Sequence, residues 1–131
     1  MTIEGKEGTV LMTADQFRKL VLSFPGAEER AHHRHPDFRV AGRIFATLGY
    51  PDQTRGMVQL TPEQQAELIH DHPLVFSPAA GKWGQNGSTI ANLPKATKTV
   101  LQEAIEAAYK NAVRRNAKRT RTKATSNRES Q

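Results

Sequence analysis

The sequence predicts a single compact α+β domain with a mainly antiparallel sheet, a helix at each end and one in the middle. Three observations carry this reading. Thr13 with Gln16, and Thr61 with Gln64, each place a hydroxyl and an amide three residues apart ahead of an apolar run, the capping box that starts a helix. Residues 37–48 alternate polar and apolar with period two on either side of Ala41-Gly42, as strands of a hairpin with one buried face do. The order helix, strands, helix, strands, helix lacks the regular alternation of a parallel sheet.

Taken in order, residues 1–11 are polar and glycine-bearing and are expected to be a disordered leader. In the first helix Met12 can staple to Phe17, and Phe17, Leu20, Val21 and Phe24 recur at helical spacing until Pro25-Gly26 ends it. Residues 28–34 are expected to pair as a first strand despite a composition poor for strands. Phe38 and Val40, then Ile44, Ala46 and Leu48, are the apolar members of the hairpin. A loop follows over 49–56, then a short strand over 57–60. Pro62 sits at the first position of the middle helix, Leu68 and Ile69 are its expected buried residues, and His72-Pro73 closes it. Residues 74–78 read as extended, 79–88 as a glycine-bearing loop and 89–93 as a strand. From about Ala96, Val100, Leu101, Ala104, Ile105, Ala108, Tyr109, Ala112 and Val113 form the long apolar stripe of the last helix.

The domain is therefore expected over 12–115, with a disordered basic tail over 116–131. The formal charge of +6 belongs to that end of the chain. Residues 110–131 hold eight basic residues and one acid, net +7, and the remaining eleven basic and twelve acidic residues give −1. Cysteine is absent, which excludes disulfides, thiolate metal sites and a thiol nucleophile. No apolar run approaches the ~20 residues that span a bilayer, and residues 1–10 lack the apolar stretch of a signal peptide. A cytoplasmic monomer without membrane contact is expected.

The ordered set of local motifs resembles the MmcQ/YjbR family of small bacterial proteins. It comprises Phe24-Pro25-Gly26-Ala27-Glu28-Glu29, His35-Pro36-Asp37-Phe38-Arg39-Val40, Gly42-Arg43-Ile44-Phe45-Ala46-Thr47-Leu48, Leu60-Thr61-Pro62-Glu63, Gly81-Lys82-Trp83-Gly84 with Gly87 and Thr89, and Ala107-Ala108-Tyr109. It covers about residues 13–115. The resemblance implies a domain whose sheet and projecting hairpins form a double-wing DNA-binding arrangement, and it supplies no catalytic residues.

Candidate sites follow from residue type. Arg39 and Arg43 flank the hairpin turn, where guanidinium forks suit phosphates; the simpler alternative is a solvated face, with Arg39 paired to Asp37 or a nearby glutamate. Lys82 and Trp83 stand together in a glycine-bearing loop, so that Trp83 either stacks on a base or packs as a lid on the core. Arg114, Arg115, Lys118 and Arg119 would add nonspecific attraction to DNA. His32, His33 and His35 lie close together, with His70 and His72 further on, yet neither HExxH nor paired CxxC is present, so no metal site is assigned. His35, ahead of Pro36, is read as orienting the strand through a ring-nitrogen hydrogen bond. The acids Asp15, Glu28, Glu29, Glu63 and Glu67 fall mostly at helix starts and turns, where they cap or complement the dipole, and no catalytic motif appears. The expectation is a noncatalytic DNA-binding protein without cofactor, the alternatives being a protein-interaction or chaperone-like module and a small-ligand binder near Trp83.

Overall fold

In a computed structural model, residues 12–30 and 35–129 are described, with side chains to Arg115. Both capping boxes form. Thr13 accepts from the Gln16 amide and Gln16 answers with its side chain, opening α1 (Ala14–Leu22); Thr61 and Gln64 do the same for α2 (Pro62–Asp71). The strands are β1 (Glu28–Arg30), β2 (Asp37–Val40), β3 (Arg43–Leu48), β4 (Arg55–Gln59), β5 (Phe76–Pro78) and β6 (Ser88–Asn92). A short α3 (Gly81–Gln85) precedes β6, a 3₁₀ turn (Leu93–Lys95) follows it, and α4 runs Lys98–Glu129. The six strands form one antiparallel sheet in the order β1-β2-β3-β4-β6-β5.

Helices α1 and α4 cover one face. Phe17 of α1, Phe38, Phe45, Val58 and Phe76 of the sheet, and Leu101 and Ile105 of α4 are fully buried between them. Phe17 meets Phe38 edge to face at 6.5 Å, and Gly56 lies so close beneath that ring that a Cβ would sit 2.9 Å from it. Tyr109 joins α4 to the sheet and to the end of α1: its ring packs on Phe24 and Phe45, and its hydroxyl donates to the Pro25 carbonyl.

Four expectations change. The hairpin carries a bulge: Phe38 pairs with Ala46 and Arg39 with Ile44, so Phe45 has no partner. An extra residue in one strand breaks the period-two alternation, so Phe45 turns into the core and Ile44, expected inside, is 40% exposed. The expected loop over 79–88 contains α3, whose five residues give too short a pattern for periodicity to show. In α2 the buried pair is Leu68 and Gln65, Ile69 being only half-buried. Val113 is 40% exposed, and Ala112 is the last buried residue of the α4 stripe among the described side chains. The first strand is seen as Glu28–Arg30, residues 31–34 lying outside the described ones together with His32 and His33. The expected leader over 1–11 and the side chains of the expected tail also lie outside them.

Candidate functional site

The sheet is forked. Strands β3 and β4 pair only from Ala46–Val58 to Leu48–Gly56. Beyond that, β3 stays with β2 as far as Val40–Arg43, and β4 stays with β6 as far as Gln59–Ser88. The β2–β3 hairpin and the β4–β6 pair thus diverge, and the open cleft between them has a volume of about 1110 Å³.

The hairpin turn explains how its arm projects. Ala41 and Gly42 both take positive φ, 54° and 77°, the geometry of a two-residue turn whose twist matches the strands. One lip of the cleft carries Asp37, Arg39, Arg43 and Ile44, and the opposite lip carries Gln59, Leu60, Thr61 and Pro62. Ala108, Asn111, Ala112 and Arg115 of α4 line it from behind, and Trp83 and Asn86 from α3 close its side. Asn111 holds the far lip in place, donating to the Gln59 carbonyl (3.4 Å) and to Gln64 Oε1 (2.7 Å). Alternation and cross-strand partners put Arg39 and Ile44 on the outer face, and Arg43, opposite Val40, on the face turned to α4.

The cleft is cationic. Arg39 donates through Nε (3.0 Å) and Nη2 (3.5 Å) to the buried Asp37 carboxylate. That hydrogen bond, and next the charge of Asp37, raise the Arg39 pKa further above its ordinary value, so the guanidinium stays charged and is held in one orientation. Arg43 is different. Its Nε is buried and has no hydrogen-bond partner, and among the described residues it forms no ion pair. With Arg115, three guanidiniums face the cleft against the single carboxylate of Asp37 among the described residues.

The aromatic groups lie in the same place. Trp83 is 71% exposed, and Tyr50, with His35 edge-on at 6.0 Å, is 50% exposed. Trp83 is therefore no lid on the core. It stands on α3, which the buried Gln65 side chain ties down by donating to the carbonyls of Gly84 and Ser88, both at 3.0 Å, with Thr89 Oγ1 at 3.2 Å. The Gly84 position has no room for a side chain, since a Cβ would stand 1.8 Å from the Ala79 carbonyl oxygen.

Of the residues proposed from sequence, the structure brings Arg39, Arg43, Trp83 and Arg115 to one cleft. Lys82 is exposed but does not line it, and Arg114 borders a smaller hollow between α2 and α4. The side chains of Lys118 and Arg119 lie outside the described residues. Tyr50, Met57 and Asn111 are site residues that sequence reasoning missed. Asn111, a polar residue inside the Ala108–Ala112 stripe, is the one that a closer reading could have flagged. Among the described residues no group of three or more His, Cys, Asp or Glu side chains stands close enough to hold a metal ion. No helix among them is long and apolar enough to cross a membrane.

An antiparallel sheet with helices on one face places the protein among small single-domain α+β proteins, and comparison with known proteins supports that fold. The YjbR family model matches residues 22–111, most of the chain, and the protein belongs to that family. It is similar in fold to a solved structure, Deinococcus radiodurans protein DR2400, described as carrying a DUF419 domain. The TM-score is 0.60 at 21% identity, over 76% of this chain and 77% of that one. No curated protein matches the chain.

Proposed function

We propose that the protein is a noncatalytic nucleic-acid-binding module that holds phosphates in the cleft between the two arms of its sheet. The observation that carries this is Arg43: a guanidinium with a buried, unpartnered Nε, facing the same cleft as Arg39, Arg115 and Trp83. The rest of the Arg43 side chain is only half-buried and lines the cleft, so its charge is open to a docked anion although solvent does not reach the Nε. Guanidinium forks match phosphate oxygens, and the charge excess of the cleft favours a polyanion. The only acid lining it among the described residues, Asp37, is engaged by Arg39, which supports binding over acid–base chemistry.

The test is oligonucleotide affinity of the full chain as a function of salt. Binding is expected at low salt, with log K falling linearly in log salt; Arg43→Gln lowers affinity about tenfold and reduces the slope by about 1. An Arg43→Gln protein that binds as tightly as its parent sinks the reading. A small organic anion is the second reading, favoured by the apolar lining of Met57, Leu60 and Pro62, and it predicts that a free nucleotide occupies the cleft by itself.

A further inference from the structure

We infer that the cleft takes a short unpaired stretch of nucleic acid in preference to a duplex, an inference that rests on the phosphate-binding reading above. Three features of the cleft separate the two substrates.

The first is where the charges sit. Duplex phosphates lie on the outside of a broad cylinder and are met by protruding cations. In the cleft, the Arg43 Nε is buried and Arg39 is two-thirds covered and pinned to Asp37. A thin polyanion reaches these two part-covered guanidiniums more readily than a broad cylinder does, while the exposed Arg115 is open to either.

The second is the aromatic surface. Trp83 and Tyr50 keep 71% and 50% of their surface open, and both line the cleft. Exposing an indole to water is unfavourable unless a partner covers it, and base–aromatic stacking is worth ~1–3 kcal/mol per base. In a duplex the base faces are already stacked on each other, so these rings have nothing to cover. An unpaired base presents a free face.

The third is the apolar lining. Pro62, exposed on the far lip, with the edges of the buried Met57 and Leu60, does nothing for a phosphate. The flat, weakly polar face of a base fits it. The volume of about 1110 Å³ lies just above the ~300–1,000 Å³ of pockets for single small ligands, which points to more than one nucleotide. Trp83 thus acts as the stacking platform, and Arg43 and Arg39, on the hairpin lip, hold the backbone.

Fluorescence anisotropy of the full chain with a labelled ten-nucleotide dT strand and with a labelled ten-base-pair duplex, at low salt, tests this. Trp83→Leu is the informative variant, because so exposed a side chain is dispensable for folding, as circular dichroism verifies. The single strand is expected to bind at least about tenfold more tightly than the duplex. Trp83→Leu is expected to weaken the strand by about 5- to 150-fold, the equivalent of one stacked base, while leaving duplex affinity unchanged. Equal affinities with no effect of Trp83→Leu overturn the single-strand inference and leave the phosphate reading standing. Displacement of the strand by adenosine monophosphate at a comparable concentration overturns it in favour of a small-ligand pocket. Absence of binding to either oligonucleotide sinks both.

Discussion

Replacing Gln65 by leucine should loosen α3 and with it the wall of the cleft. The Gln65 amide is buried and gives one N–H each to the carbonyls of Gly84 and Ser88 at 3.0 Å. Those carbonyls are not left bare by the change: Gly84 still accepts from the Gly87 amide and Ser88 from the Ala79 amide. The loss is therefore two ordinary hydrogen bonds, ~1 kcal/mol each, rather than two unsatisfied acceptors at up to ~3 kcal/mol each. A destabilisation of about 2 kcal/mol follows, equivalent to a melting temperature lower by about 10 °C for a domain of this size. Gln65→Glu should be worse at neutral pH, because it points a carboxylate at two carbonyl oxygens. Burial and those carbonyls raise the folded pKa of the new acid above its unfolded value of ~4.3. The excess penalty is therefore complete above the folded pKa, shrinks as pH falls from the folded value towards the unfolded one, and is gone below the unfolded one. Urea denaturation of the parent and both variants at neutral and acid pH measures all three quantities. A Gln65→Leu protein within about 0.5 kcal/mol of its parent would refute the bridging role of this side chain.

Three further outcomes are expected. Gly84→Ala drives a Cβ to 1.8 Å from the Ala79 carbonyl oxygen and should cost about 3 kcal/mol or more, whereas Gly81→Ala meets nothing within 4 Å and should cost only the ~1–2 kcal/mol of its positive φ; chemical denaturation of the pair distinguishes clash from conformational strain. Ala41 adopts φ 54° in the hairpin turn, so Ala41→Asn, which tolerates that region, should stabilise the protein by about 0.5–1 kcal/mol in the same assay. Thr54 donates from its hydroxyl and from its amide to the exposed Asp52 carboxylate, and these bonds, the hydroxyl's first, lower the Asp52 pKa. The stability this contributes is present above the ordinary value of ~3.9 and lost as pH falls through the lowered one; Asp52→Asn should therefore be slightly less stable than its parent near pH 7 and indistinguishable from it in strong acid.

What the sequence discloses is what local chemistry decides. Thr13 and Thr61 start helices because hydroxyl and amide lie three residues apart on the chain itself, and the Ala41-Gly42 turn needs no distant partner. The Phe45 bulge depends on how β2 and β3 register against each other, so the alternation that sorts Phe38 and Val40 correctly misplaces Ile44. The candidate arginines at 39 and 43 are recognisable by type. The pairing of Arg39 with Asp37, two residues away, is legible as an alternative too, but the fate of Arg43 is not: it has no partner among the described residues, where β3 and β4 diverge in a way no window of sequence contains. Trp83 shows the same division. The Lys82-Trp83 pair is visible in the sequence, but whether the indole faces core or solvent is decided by Gln65, some twenty residues earlier, and by the backbone crowding at Gly84.

Because the two prongs of the fork separate past Ala46 and Val58, the gap between them is kept by α4, which lies against β2, β3 and β4 alike. Its width is thus a mechanical property of one rod rather than of a continuous ladder. The chain has no native thiol, so a pair of spin labels, one on the hairpin tip at Gly42 and one at Pro62, would report that width directly, without background, as cargo arrives.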